Sequence, residues 1–135
     1  MKMNKKGFTL IEMLVVIAII AVLVSIVIPT VSSATEKAKE AADAANIRAA
    51  IAEVTTNALA NGSAADVEVE MKQATAGFVS SDLKSIGGLA DDQYAEVAKA
   101  TSGTKVVISW NSTLNAVNVK VGDKSVPATT APAAE

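Results

Sequence analysis

An apolar run constrains this chain more than any other feature of its sequence. Residues 8–28 are apolar almost throughout, and Glu12 is their single charged side chain. A helix of this length is about 31 Å long, which matches the hydrocarbon core of a bilayer at about 30 Å. The remainder of a 135-residue chain is too short to enclose such a helix as a buried core. The run therefore predicts a membrane-spanning segment.

The flanks of the run indicate its orientation. Lys2, Lys5 and Lys6 precede it, and basic residues favour the cytoplasmic side, so the rest of the chain is predicted to lie outside. An ordinary secretory signal peptide is the alternative, with small residues at 32–34 as its cleavage site. The apolar part of such a signal is about 7–15 residues long, shorter than this run. A carboxylate at membrane depth is also costly, so Glu12 requires a partner for which an export signal has no use.

The composition excludes several classes of enzyme. The chain has no cysteine and no histidine, which excludes disulfides, thiolate nucleophiles and imidazole-based catalysis or metal binding. Its net charge is −2 and its lysines are scattered, so the sequence shows no nucleic-acid-binding surface. Asp91 and Asp92 are interpreted as charges at a helix start rather than as metal ligands. We predict a protein without enzymatic activity, cofactor or metal.

The residues around the start of the run resemble a known signal. The segment KKGFTLIE, residues 5–12, together with the apolar run resembles the class III leader of type IV pilins and pseudopilins. In that family a membrane-embedded aspartyl prepilin peptidase cuts after the glycine and methylates the new first residue. The resemblance implies cleavage between Gly7 and Phe8, N-methylation of Phe8, and roles in assembly for Glu12 and Pro29. Pro29 corresponds to the proline at the end of the family's membrane-spanning stretch.

Elementary physical chemistry is consistent with these roles. Glycine at position 7 lets the backbone enter a protease groove in extended form. Cleavage creates a positive amine at Phe8, one helical turn from Glu12. That amine, or the amine of a neighbouring subunit, could pair with the carboxylate. The second pairing would set the axial register between subunits, because a buried charge pair encodes position.

Beyond the run, residues 29–60 have a helix-forming composition and are predicted to continue the helix. A kink is expected at Pro29, which cannot donate a hydrogen bond to the Ser25 carbonyl. Two apolar stripes follow at spacings of three and four. The first, called here the alanine stripe, suits close approach of another helix and comprises Val31, Ala34, Ala38, Ala41, Ala42, Ala45, Ala49 and Ala52. The bulkier second stripe is predicted to face a head domain and comprises Ile47, Ile51, Val54 and Ala58, with Leu59 beside it.

Five charged residues lie mainly off the alanine stripe, and the sequence predicts that they form a solvated helix face. They are Glu36, Lys37, Lys39, Glu40 and Asp43. Neighbouring charges at spacings of three and four support such a face.

The middle of the head is ambiguous in sequence. Ser63 with Asp66 could open a helix through a capping box, whereas Val67, Val69 and Met71 alternate as in a strand. We predict a helix here. Residues 81–86 and 91–100 are also predicted to be short helices.

Towards the C-terminus the strand pattern is clearer. Strands are predicted at 104–110, 116–121 and 124–126, joined by a loop at 111–115 and a two-residue turn at 122–123. Val106 and Ile108, or their alternates, are expected to be buried on the helix. Phe78, Tyr94 and Trp110 are interpreted as core residues, and the sequons at Asn61 and Asn111 as turn chemistry.

These inferences predict an α+β, pilin-like fold, with a long N-terminal helix that is transmembrane in its first half and packed by a small antiparallel sheet. The predicted segments are a leader at 1–7, a transmembrane and assembly helix at 8–28, its amphipathic continuation at 29–60, a head at 61–126 and a disordered tail at 127–135.

The predicted function is a structural subunit of a type IV pilus-like filament. Expected partners are other copies of the chain, the prepilin peptidase, the bilayer and an assembly platform driven by a cytoplasmic ATPase. The precursor is expected in the cytoplasmic membrane with its N-terminus inside, and the filament outside the cell. The alternatives are a pseudopilin of a type II secretion or DNA-uptake system, and a secreted binding domain with an ordinary signal peptide. The missing cysteine pair favours a Gram-positive source.

Overall fold

A computed structural model describes residues 7–75 and 88–128. The chain divides into two compact units, residues 1–35 and residues 36–135. The elements in chain order are helix α1 (Leu10–Asn61), strand β1 (Val67–Glu70), helix α2 (Asp91–Ala98), and strands β2 (Lys105–Asn111), β3 (Ala116–Val121) and β4 (Lys124–Val126).

The first unit contains the N-terminal part of α1. Its large apolar side chains are exposed, and α1 is long and apolar enough to cross a membrane. Helical structure continues through Pro29. Two hydroxyls near the proline bond back to the preceding turn, Ser25 to the Val22 carbonyl at 2.7 Å and Thr30 to the Ile26 carbonyl at 3.2 Å. The kink at Pro29 stays a prediction.

The second unit is an antiparallel sheet of order β1-β2-β3-β4 packed on residues 36–61 of α1. The second stripe of α1 lies in this core as predicted, because Ile47, Ile51, Val54 and Ala58 are all buried. Successive side chains of each strand point to opposite faces of the sheet, and Val106, Ile108 and Val119 are fully buried on the face beneath the helix. The α+β, pilin-like architecture is thus confirmed.

The three C-terminal strands and their connections lie where the sequence predicts them. The turn between β3 and β4 uses Gly122 with a φ of +57°, and Asn115 adopts a φ of +54° before β3. The Asn111 side chain accepts hydrogen bonds from the backbone N–H groups of Thr113 and Leu114 at 3.0 and 3.2 Å. This sequon therefore builds a turn, as interpreted.

The helix predicted from Ser63 onwards is wrong. Residues 67–70 form strand β1, which pairs antiparallel with β2 and sets Val69 opposite Val106. Alternation outweighs the capping signal because it buries Val69 and Met71 on the core side and leaves Glu68 and Glu70 exposed. Gly62, with a φ of +75°, follows the end of α1.

Helix α2 confirms the helix predicted after residue 90. Tyr94 and Trp110 are half-buried and pack against the core, as predicted. Ala128 is buried, and its N–H donates to the Asn118 side chain at 2.9 Å. The predicted helix at 81–86, together with Phe78, the leader residues 1–6 and the tail residues 129–135, lies outside the described residues.

Candidate processing and assembly site

The N-terminus of α1 is closed by a reciprocal cap between Thr9 and Glu12. The Thr9 N–H donates to Glu12 Oε2 at 2.8 Å, and the Glu12 N–H lies 3.3 Å from Thr9 Oγ1 as its acceptor. This is a capping box, which satisfies backbone donors that the helix itself cannot pair. Glu12 thus has a partner within its own chain that the sequence analysis did not consider. The Thr-x-x-Glu spacing, readable in the sequence, is the signal that was missed.

The cap leaves the predicted cleavage position outside the helix. Residues 7–9 have no regular secondary structure, and Phe8 is 82% exposed. A Cβ added at Gly7 meets no atom within 4 Å. The Gly7–Phe8 bond is therefore in the kind of accessible, non-helical backbone that a protease can bind. Pro29 lies about five turns further along α1, so the sequence-predicted residues do not form one cluster.

The alanine stripe has no partner within the described chain. Every one of its residues is exposed, from Val31 to Ala52. The membrane-spanning part is equally uncovered, with Ile11 at 64% and Ile26 at 63% exposure. Monomeric soluble proteins rarely expose apolar surface on this scale, and such surface marks interaction with a membrane or with other proteins.

The interpretation of the charged residues of α1 as a solvated face is wrong for three of them. Glu40 and Asp43 are buried, at 1% and 0% exposure, and Glu36 accepts bonds from a distant segment. Asp43 Oδ2 accepts the backbone N–H groups of Lys72 and Gln73, both at 2.8 Å. The chain leaving β1 passes along α1, and its backbone donors require acceptors there.

Glu36 repeats this arrangement nearer the N-terminus of α1. Its Oε1 accepts the N–H groups of Ala74 and, at 2.8 Å, Thr75. We call Glu36 and Asp43, with residues 72–75, the carboxylate latch. Bonds to a charged acceptor are stronger than neutral ones, so the latch ties the segment after β1 firmly to α1.

Removal of the Asp43 carboxylate should destabilise the head. Asp43→Ala leaves two N–H groups without their acceptor, which we expect to cost about 3 kcal/mol and to lower the melting temperature by about 10–20 °C. Asp43→Asn keeps an acceptor oxygen, so its melting temperature should lie between those of Asp43→Ala and the parent. The single tryptophan, Trp110, reports the head transition by fluorescence. Lys37→Ala, at an exposed position of the same helix, is the control and should melt as the parent does.

An ionic contact joins α2 to β4. Glu96 Oε1 lies 2.7 Å from the Lys124 ammonium and 2.8 Å from that of Lys99. Hydrogen bonds from Lys124 first, and then from Lys99, hold the pKa of the Glu96 carboxyl below its ordinary value of 4.5. Because that pKa is lowered by folding, the contribution to stability is present above pH 4.5 and is lost as the pH falls through the folded-state value.

Replacement of Lys124 should therefore raise the pKa of Glu96. In Lys124→Ala we expect the Glu96 carboxyl to titrate closer to 4.5, as followed by carboxyl-carbon NMR. Lys99→Ala should produce a smaller rise, since Lys124 makes the larger contribution. An unchanged Glu96 titration in Lys124→Ala would contradict the assignment of cause.

No group of three or more acidic, histidine or cysteine side chains suited to a metal ion occurs within residues 7–75 and 88–128.

Comparison with known proteins bears on the N-terminal segment. Residues 2–28 match the family model of the prokaryotic N-terminal methylation motif. The chain carries the class III signal peptide of type IV pilins and pseudopilins. No curated protein and no solved structure gives a significant match.

The motif supports a precursor of the type IV pilin or pseudopilin kind and points to a structural protein. It implies processing by a prepilin peptidase and, in general terms, assembly into a pilus. The motif and the exposed apolar helix fit a membrane-anchored precursor of a surface filament. The motif itself covers residues 2–28. The pilin-like architecture of the described chain is consistent with such a precursor.

Proposed function

We propose that this protein is the pilin, the structural subunit, of a type IV pilus-like extracellular filament. The observation that carries the proposal is the exposure of the whole apolar and alanine-lined surface of α1 up to Ala52, in a chain whose head is already packed by its own sheet. A helix that is apolar on all sides and uncovered by its own chain requires lipid or other helices.

The proposal assigns each segment a stage. Residues 1–7 are the leader, which the peptidase removes by cutting between Gly7 and Phe8 before Phe8 is N-methylated. Residues 8–28 hold the precursor in the cytoplasmic membrane with its N-terminus inside, and then line the filament core. Residues 29–60 continue that helix through Pro29, 61–126 form the surface-facing head, and 127–135 form the tail.

Glu12 has different partners before and after assembly in this scheme. In the precursor its carboxylate accepts the Thr9 N–H, which reduces the cost of carrying a carboxylate into the membrane. After cleavage, the Phe8 amine of an adjacent subunit pairs with it in apolar surroundings. That pairing holds the neighbour four residues out of register, or about 6 Å along parallel helices.

Extraction from the membrane needs work that this chain does not supply. A platform driven by a cytoplasmic ATPase fills that role in the proposal, and helix–helix contacts in the filament replace lipid contacts. The alanine stripe permits close approach of neighbouring helices because its side chains are small.

Mass spectrometry of the mature N-terminus, combined with imaging of surface filaments, tests the proposal. We expect the mature chain to begin with N-methylated Phe8, and filaments to be lost when this protein is deleted and restored when it is supplied again. A mature chain that begins at Thr35 would instead identify an ordinary secretory signal. Correct processing without any filament containing this chain would reject the pilin assignment.

A further inference from the structure

A groove runs between α1 and the free side of strand β1. Its volume is about 380 Å³, and the residues that line it include Glu53, Glu68, Glu70 and Lys72. Lys105 pairs with Glu68 at 2.5 Å. The charge of Glu70 also acts on Lys105, so Glu53 is the described carboxylate of the groove that remains for a further cation.

The two sides of α1 carry opposite charges. Glu53 lies on the groove side, whereas Arg48 lies about 140° away around the helix. Lys37, three turns before Arg48, lies on that same basic side. The exposed Ala45 and Ala52 occupy the surface between the two sides, and all five residues are exposed.

We infer that the groove receives Arg48 from a second copy of this chain, packed parallel along the alanine stripe. Where two parallel helices share a central seam, the opposite flanks of the two face each other, as positions e and g do in parallel coiled coils. The acidic side of one copy then meets the basic side of the next. Antiparallel packing would bring like charges together, which is unfavourable.

Along the part of α1 in the second unit, an offset of four residues between copies suits the contact. This step rests on the proposed function, in which the Phe8 amine of a neighbour pairs with Glu12 and the copies are offset by four residues. At that offset Glu53 lies level with residue 49 of the neighbour, one residue, or about 1.5 Å, from its Arg48. Lys37 of the neighbour is 12 residues, or about 18 Å, from that level.

The side chain of Arg48 has the charge and the hydrogen-bond donors that a carboxylate in the groove requires. Its guanidinium offers five N–H donors in a planar fork, which can bind the Glu53 carboxylate through two of them. Arg48 already takes part in an interaction in its own chain, and a guanidinium with five donors can bind more than one acceptor. The axial offset between the copies makes the contact heterologous, so it can propagate into an open filament rather than close as a dimer.

Cysteine cross-linking tests the contact directly, because the natural chain has no cysteine. In filaments of Arg48→Cys/Glu53→Cys, a short bismaleimide should yield a ladder of covalent multimers on a denaturing gel. Each single variant should yield dimers at most. The matched pair Lys37→Cys/Glu53→Cys joins the same two sides at the wrong level and should give no ladder.

Charge exchange provides the second readout. Arg48→Glu should lower the amount of sheared filament roughly tenfold while processing continues, and addition of Glu53→Arg to the same chain should restore it. The inference is overturned if the 48/53 pair fails to ladder in filaments that form, if the 37/53 pair ladders equally, or if the exchanged chain stays as poor as Arg48→Glu. Absence of filaments from the unaltered chain would instead reject the proposed function.

Discussion

Replacement of Gly7 with valine is expected to leave the chain at full precursor length and to abolish its filaments. A β-branched side chain at this position obstructs the extended backbone that the peptidase must accept, and misplacement of the scissile bond by about 1 Å can cost about a hundredfold in rate. Intact mass spectrometry of the membrane fraction measures the processed share directly. Without cleavage there is no Phe8 amine for Glu12 of a neighbour to bind.

The structure supplies a clean control for this experiment. A Cβ at Gly7 meets no atom within 4 Å, so the substitution should not disturb the folded chain. The Trp110 melting curve of Gly7→Val should match that of the parent. Normal cleavage of Gly7→Val would contradict the assignment of the processing site.

Replacement of Glu12 with glutamine is expected to preserve processing and to reduce filaments about tenfold or more. Glutamine keeps an oxygen that can accept the Thr9 N–H, so the cap on α1 survives while the negative charge is lost. The Phe8 amine of the neighbour then lacks its counter-charge in apolar surroundings, and removal of one partner of a buried pair is strongly destabilising. The measurement is the ratio of sheared filament to mature protein that remains in the membrane.

Two further variants serve as references for Glu12→Gln, one without cap and charge and one with both. Glu12→Ala removes both and should assemble no better than Glu12→Gln. Thr9→Ser keeps the hydroxyl of the cap together with the carboxylate, and should assemble as the parent does. Filaments of Glu12→Gln at parental levels would show that the carboxylate charge does not set the register.

The parts of the fold that the sequence predicted correctly are those with local causes. The membrane helix follows from the unbroken apolar run at 8–28, and β3 follows from the alternation of Val117, Val119 and Val121. The second stripe of α1 was readable because Ile47 and Ile51 repeat at helical spacing. These signals do not depend on which segment packs against them.

The errors arose where a distant segment decided the outcome. Strand β1 depends on pairing with β2, whose Val106 lies opposite Val69 although it is 37 positions further along the chain (106 − 69). Asp43 is buried because residues 72–75 cross α1, and nothing near it in sequence indicates that crossing. The capping box at Thr9 is different, because its spacing is local. The same residues belong to the processing motif, so two signals overlap there.

In the proposed filament, the carboxylate latch should help the second unit to resist mechanical force. The second unit begins at residue 36, so in the proposed filament tension along α1 would reach that unit near Glu36. Glu36 and Asp43 lie two helical turns apart on α1. Each accepts two backbone N–H groups from residues 72–75. If these four charge-assisted bonds share the load, they resist it together, whereas bonds that are loaded in succession open one at a time. We therefore expect the segment after β1 to separate from α1 last near Glu36, where the tension is applied.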